Sequence, residues 1–333
     1  MDLSVIVPCY NEAESLPSFV DAATSALSPL GDSWELIFVN DGSSDGTEGF
    51  LRAFVGSGRA PHATLVNFSR NFGKEPALLA GLRQARGSAV AFIDADLQQP
   101  PATLVEMYRL LEGHDEYDVV AACQRERPDH SLRSRLSAGF YGLFNRVSDI
   151  TLEPGASDFR VFRREVADAL LSLPECHRFT KGLFAWVGFR TLPYPYAPDE
   201  RVSGKSRWSM RGLTRYALEG MVSFTTVPLR ISGYVGAVAA VVGFVYIIFV
   251  LVDALVLRNT PAGYPTLLSV MLLLGGLILL SLGIIGEYVA RIYLEGKRRP
   301  AYIAASIVSS DATNDDGRPT ASGMDARVPT PTR

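Results

Sequence analysis

Over the first 125 residues, short apolar runs alternate with segments of helical period. "LSVIVP", "WELIFVN", "ATLVNF", "AVAFID" and "YDVVAAC" read as strands, and Glu75 to Arg86 and Ala102 to Leu111 read as helices between them. Alternation of this kind predicts βαβ units and a mostly parallel sheet in an α/β domain. Ligands of such sheets bind beyond the carboxyl ends of the strands. Polar residues gather at those ends: "CYNEAES" after the first strand, "NDGSSDGT" after the second, "SRNFGKE" after the third and "DADLQQPP" after the fourth.

The pattern changes near residue 230. Ile231 to Val252 and Thr266 to Gly286 carry no charge, and each is about 20 residues long, enough to cross a bilayer core of roughly 30 Å. Neither has a polar face for water, so buried core helices are the poorer reading. The short linker "LRNTPAGYP" makes the two spans a hairpin with both chain ends on one side. Arg211, Arg215 and Arg230 precede the first span and Arg291, Lys297, Arg298 and Arg299 follow the second, whereas the tip has only Arg258. The positive-inside rule therefore predicts a two-span protein of the cell membrane with both termini cytoplasmic.

Composition agrees with this division. Hydrophobic residues make up 47% of the chain, and the mean hydropathy is +0.14. The sequence pI near 5.9, with bases concentrated beside the spans, argues against nucleic acid as a partner. Cys9, Cys123 and Cys176 show no C-x-x-C spacing and are expected as reduced core thiols, and the four histidines form no zinc motif. "MDLSVIVP" places an acid where a signal peptide needs a basic region, so no leader is expected. From Ser309 the composition turns to Ser, Thr, Asp, Pro and Gly, which predicts a disordered tail.

The candidate chemistry centres on Asp94 and Asp96. On a strand, residues i and i+2 point to the same side, so these two acids at the end of "AVAFID" are expected to face one way and to require a cation. Pro100 and Pro101 then start the next helix. Oxygen ligands on a sheet edge suit Mg²⁺ or Mn²⁺, which take one or two carboxylates together with substrate phosphates. Neither a P-loop nor a dinucleotide-binding glycine pattern is present. Asp41, in the ordinary turn sequence "NDGSSDGT", gains interest from lying at the same edge.

Taken together, "SVIVPCYNEAESLP", "ELIFVNDGSSDGT", "NFGKEPALLAGL", "FIDADLQQPP", "SDFRVFRR" and "RVSGKSRW" resemble the family 2 glycosyltransferases of GT-A (Rossmann-like) fold. More narrowly, they resemble the polyprenyl-phosphate glycosyltransferases, the group of dolichyl-phosphate mannose synthase and bactoprenol glucosyltransferase. The resemblance covers about residues 3 to 300. It implies that Pro8, Tyr10, Asn11, Glu12 and Asp41 hold the nucleotide, with Asp94 at the nucleotide sugar, and that Asp94, Asp96 and Gln98 gather around the metal and diphosphate. Two positions depart from the usual pattern: Gln99, where relatives often carry an acid, and Arg207, where they often carry Lys.

The implied reaction moves one sugar from a nucleotide sugar, with UDP favoured over GDP, to a polyprenyl phosphate, with inversion. A phosphate monoester has its second pKa near about 6 and is already anionic at cytoplasmic pH. Asp158 in "GASDFR" is thus expected to orient groups, with general base as the lesser option. Bringing two anions together requires cations. Arg125, Arg133, Arg135 and Arg160 are candidates in the mixed region, and Arg201, Lys205 and Arg207 in the premembrane segment. Asp96, Asp158 and Arg207 are the expected catalytic residues.

The chain accordingly divides into a catalytic domain (1–200), basic interfacial helices (201–230), two spans (231–257 and 266–290) and a tail (309–333). Self-association through the spans is compatible with this plan. The rival readings are a processive polysaccharide synthase, which needs a channel and a Q-x-x-R-W motif, and an inactive nucleotide-sugar-binding scaffold.

Overall fold

The computed structural model describes residues 1–124, 156–175, 178–196, 227–252 and 263–312, together with Thr225 and a few positions between 142 and 151. Eight strands are present among these residues: β1 (Leu3–Cys9), β2 (Trp34–Asn40), β3 (His62–Phe68), β4 (Ala89–Phe92), β5 (Val119–Gln124), β6 (Ala156–Arg163), β7 (Thr191–Tyr196) and β8 (Ala304–Ser309). They form one sheet in the order β7-β5-β6-β4-β1-β2-β3-β8. The four strands β4, β1, β2 and β3 run parallel. β6 is inserted antiparallel between β4 and β5, β7 is parallel to β5, and β8 closes the far edge antiparallel to β3.

Helices cover both faces, which is why the central strands are apolar at nearly every position. On one face Val5, Val7, Leu36 and Phe38 pack with Phe19 and Val20 of α1 (Leu16–Leu27) and Leu104 of α4 (Pro101–Glu112). On the other, Ile6, Ile37 and Val39 meet α3 (Lys74–Gln84), α5 (Arg164–Ser172) and α6 (Thr180–Val187). The two-residue strand period distributes β1 and β2 between these cores. Each fully buried Leu, Ile or Phe contributes about 1.5–3 kcal/mol of hydrophobic stabilisation. Helix α2 (Thr47–Val55) adds Leu51 and Phe54 to the first core. Helix α3 lies directly on β1: a Cβ at Gly81 would fall 2.3 Å from Ile6 Cγ2, so any larger residue would lift the helix away.

After the sheet domain come α7 (Val227–Val252) and α8 (Tyr264–Gly296), helices of 26 and 33 residues. At 1.5 Å per residue they are about 39 and 50 Å long, more than a bilayer core needs. They lie against each other, and both are long and apolar enough to cross a membrane. Val238, Val245, Leu273 and Leu280 are among the large apolar side chains they leave exposed. Helix α8 continues past its apolar stretch to Glu287, Arg291 and Glu295, and Tyr288 Oη donates to the Thr225 carbonyl at 2.8 Å.

Three sequence expectations are corrected here. The tail expected from Ser309 does not begin there: Ser309 ends β8 and Ser310–Ala312 form a 3₁₀ turn. The sheet domain is not confined to residues 1–200, since the chain returns to it after α8. Tyr302 stacks on Phe68 with ring centroids 4.9 Å apart, and β8 satisfies the outer edge of β3. Finally, β4 ends at Phe92, so Asp94 and Asp96 lie in the turn beyond it, where strand alternation no longer sets their direction. Most of the expected interfacial segment 201–230, and the tail beyond Ala312, fall outside the described residues.

Candidate active site

The loops at the carboxyl ends of β1, β2, β3 and β4 are bonded to one another rather than merely adjacent. Asn11, at φ 54, accepts the Ser44 N–H on Oδ1 at 2.8 Å. Glu12 donates its N–H to Thr47 Oγ1 at 2.9 Å, and Asp45 accepts the N–H groups of Ala13 and Thr47. Although burial opposes ionisation of Asp45, the Thr47 hydroxyl and these N–H groups hold its carboxyl below the usual range. Pro8 is half-buried in β1 and Tyr10 is exposed.

Asp41 is buried and accepts the N–H groups of Phe72 at 2.6 Å and Gly73 at 2.9 Å. Burial pushes its carboxyl up, against those two bonds and the nearby Arg70. The neighbouring Gly42 has φ +63, and a Cβ there would lie 2.4 Å from the Arg70 carbonyl carbon. The second loop therefore grips the third by its backbone. Gly73, at φ +103, leads from that gripped loop into α3, whose first residues are Lys74 and Glu75.

A cation does meet Asp94, but it pairs that acid with Asp158 and not with Asp96: it is Lys74. Its Nζ lies 2.7 Å from Asp94 Oδ1, 2.9 Å from Asp94 Oδ2 and 3.1 Å from Asp158 Oδ2. Asp158 reaches this point through β6. The β4–β6 register pairs Phe92 with Arg160, and its continuation sets Asp158 opposite Asp94. Desolvation opposes the charges of both Lys74 and Asp158, yet Asp94 and Asp158 keep the ammonium protonated far above its ordinary range. Lys74, Lys181 and Arg160 in turn hold Asp158 down to about 2. Asp158 Oδ1 is buried with no hydrogen-bond partner among the described residues.

Beside this trio, Glu75 Oε2 accepts both the N–H (3.0 Å) and the hydroxyl of Thr180, tying α3 to α6. Burial and the charge of Asp158 lift Glu75 to about 7, despite the Thr180 bonds and Lys74. Gln99 is buried and accepts the Asp94 N–H on Oε1 at 2.9 Å, which the strand ladder no longer serves. Asp96 Oδ1 accepts the Gln98 N–H at 3.1 Å, closing a turn that holds Leu97 at φ 60.

The candidates thus separate. Asp94 and Asp158 come into one cluster, with Asp96 and Gln98 in the adjoining turn. Arg160 is buried, donates from Nε to the Ser157 carbonyl at 3.1 Å and has its guanidinium 4.5 Å from the Phe184 ring centroid. It acts on Asp158 through charge, from inside the fold. Arg125, Arg133, Arg135, Arg201, Lys205 and Arg207 lie outside the described residues. Sequence reasoning passed over Lys74 and Glu75, and marked Gln99 only as a departure from the usual pattern. The available signal for Lys74 was a base opening a helix at the same sheet edge as two acids.

Among the described residues, no three His, Cys, Asp or Glu side chains converge into a metal cage. Two carboxylates on a turn with an amide beside them suit a hard cation of the kind that completes its shell with phosphate oxygens and water. The residues present fit Mg²⁺ or Mn²⁺ in that manner.

Comparison with known proteins decides the family. Residues 4–171 match Glycosyl transferase family 2, and residues 227–292 match the GtrB C-terminal hairpin. The chain belongs to glycosyltransferase family 2. This glycosyltransferase is 40% identical over 304 residues to the bactoprenol glucosyl transferase of Shigella phage SfV, a match covering 91% of this chain and 98% of that one. It is 38% identical to the prophage bactoprenol glucosyl transferase homolog of Escherichia coli, again over 91% of this chain and 98% of the relative. Both matches take in the C-terminal hairpin as well as the sheet of the glycosyltransferase.

Proposed function

We propose that this enzyme transfers a single sugar from a nucleotide sugar, UDP-linked in preference to GDP-linked, to a polyprenyl phosphate at the cytoplasmic face of the membrane. One observation carries the reading. The acidic sheet edge and the two-helix hairpin belong to one chain, and nearly its whole length matches bactoprenol glucosyl transferases.

The chemistry follows from the charges involved. Breaking the bond from the sugar's anomeric carbon to the diphosphate leaves negative charge on the departing phosphate. Mg²⁺ or Mn²⁺ held by Asp94, Asp96 and Gln98 would neutralise that charge as a Lewis acid. Pro8, Tyr10, Asn11 and Glu12 flank the nucleotide, and Asp41 supports it by ordering the loop from Arg70 to Gly73. The acceptor is already an anion. No base is therefore needed, and Asp158 serves to orient Lys74 and the basic groups around it. Arg201, Lys205 and Arg207, with Arg125, Arg133 and Arg135, bring the lipid phosphate up to the sugar.

The test uses the full chain in nanodiscs with radiolabelled UDP- and GDP-sugars, offering polyprenyl phosphate or the corresponding polyprenol. We expect one sugar per lipid, on the phosphate only, and loss of turnover with chelator. Products of several sugars would establish a processive synthase instead, and binding of donors without turnover would establish a scaffold.

A further inference from the structure

We infer that Lys74 is a resident counter-cation that opposes metal binding in the empty enzyme and so makes the metal and the nucleoside diphosphate bind together. The inference rests on the metal reading above and deepens it, by assigning a positioning role to a residue outside the donor set.

The geometry is specific. One ammonium contacts both oxygens of Asp94 and one oxygen of Asp158, within 3.1 Å in each case. An ammonium has three donors, and here all three contacts go to carboxylate oxygens. It therefore takes up the electrostatic attraction that Asp94 would offer a divalent ion. A metal arriving alone on Asp94 would stand within a few ångströms of a fixed positive charge, and like charges at that separation in a partly desolvated site repel strongly.

Lys74 cannot simply swing away at no cost, because Asp158 would lose its hydrogen-bonded cation. That carboxylate already has one buried oxygen with no partner among the described residues, and stripping the other would leave a buried charge without its hydrogen-bonded lysine. The base of the lysine is equally constrained. Gly73 and Phe72 are held by Asp41, so the first turn of α3 starts at a fixed place. The trio is nonetheless open to a ligand, since the side chains of Lys74, Asp94 and Asp158 are 39%, 31% and 21% exposed.

A nucleoside diphosphate changes the balance. Its oxygens bring the negative charge that lets a divalent ion sit at Asp94 and Asp96, and they offer the ammonium a second anion in place of Asp94. Metal and diphosphate then each raise the affinity for the other, by the same factor, as linkage requires. The consequence is a site that does not gather loose metal, and a donor that is held only in its metal-bound form.

The test measures Mn²⁺ binding to the full-length protein in detergent by the electron paramagnetic resonance of free Mn²⁺, alone and with saturating UDP or GDP. Wild type should bind Mn²⁺ weakly alone and much more tightly with a diphosphate. In Lys74→Met, Mn²⁺ alone should bind about tenfold tighter, and the gain from diphosphate should shrink by a similar factor. Lys74→Arg, which keeps the charge, should behave as wild type. If Lys74→Met does not fold, Lys74→Gln carries the same expectation. Unchanged or weaker Mn²⁺ binding in the neutral variant, with coupling to diphosphate intact, would overturn the role of Lys74 alone. Failure of wild type to bind Mn²⁺ even with both diphosphates tried would instead remove the metal reading, and this inference with it.

Discussion

The two ends of the sheet each hold a carboxylate against a cation, and they do it differently. At the amino ends of the strands, Glu35 is buried with every oxygen served. Oε1 accepts Ser4 Oγ at 2.6 Å and the Arg86 N–H at 2.8 Å, and Oε2 accepts Arg86 Nε at 3.0 Å and Nη2 at 2.9 Å. Asp311, just past β8, extends the network to Arg86 Nη1 at 2.7 Å and His62 Nδ1 at 2.7 Å. At the carboxyl ends, Asp158 has one oxygen without a partner among the described residues and shares its lysine with Asp94. A saturated buried network fixes structure, whereas a partly served one leaves hydrogen-bonding capacity that a ligand can use. The same sheet thus carries a saturated ion cluster at one end and, among the described residues, a partly served one at the other.

The largest effect should separate these two ends outright. Asp96→Asn is expected to lower transfer by about a thousandfold or more through loss of charge stabilisation at the leaving diphosphate, with a thermal midpoint in detergent close to wild type. Glu35→Ala should do the reverse. Removing a carboxylate that serves four donors is expected to cost about 3 kcal/mol of stability, while turnover per folded molecule stays unchanged. Transfer assays and thermal melts on both variants check the contrast. Equal losses of activity would mean that the amino-end network also shapes the site.

A subtler difference appears with pH, because Glu75 belongs to the half-served end. Its carboxyl is lifted from an ordinary 4.5 to about 7, chiefly by burial and by Asp158. A raised folded value means that the folded state binds the proton more tightly. Glu75 therefore favours the fold fully below about 4.5, and that contribution is lost as pH rises through about 7. Glu75→Gln keeps an acceptor for Thr180 and carries no charge. The variant should lose part of the wild-type fall in thermal midpoint between pH 5 and 8, and should be the more stable of the two at pH 8. Parallel melting curves across that range would show that Glu75 does not titrate there.

How far the sequence revealed these ends depended on whether the relevant pairing was local. The parallel strands, α3, α4 and the two long apolar helices were legible from periodicity and length. The acids of "DAD" were legible as a site because a strand pattern ran into them, although the strand stops two residues earlier than that pattern suggested. The neighbour of Asp94 was not legible. Asp158 is brought to it by antiparallel pairing of β4 with β6, and side-chain period carries no information about which distant strand pairs with which. Lys74 escaped for a related reason: the cation candidates lie in the mixed and premembrane segments, while the base that meets Asp94 opens a helix one loop away. β8 escaped because "AASIVS" is short and follows a span, where chain composition was turning polar.

The smallest expected effect concerns the link that β8 makes to the amino-end network. Asp311 is about one-third exposed and Arg86 about half, at 32% and 49%, so their ion pair lies where water screens it. Pairs of this kind contribute about 0.5 kcal/mol. Its carboxyl is nevertheless depressed: burial opposes its charge, and the bonds from His62 and Arg86 outweigh that opposition. A depressed folded value means that the contribution is present above the ordinary 3.8 and is lost as pH falls through the folded value. Asp311→Asn should therefore lower the thermal midpoint slightly at pH 7, and the difference from wild type should narrow as the pH is taken toward 3. Transfer activity should not change, because the network it weakens stands at the opposite end of the sheet from Asp94, Asp96 and Asp158. A large loss of activity in this variant would show that the post-membrane strand sets the position of the catalytic loops, through Ser306, which accepts from Asn67, and Asn67, which accepts from Asn40.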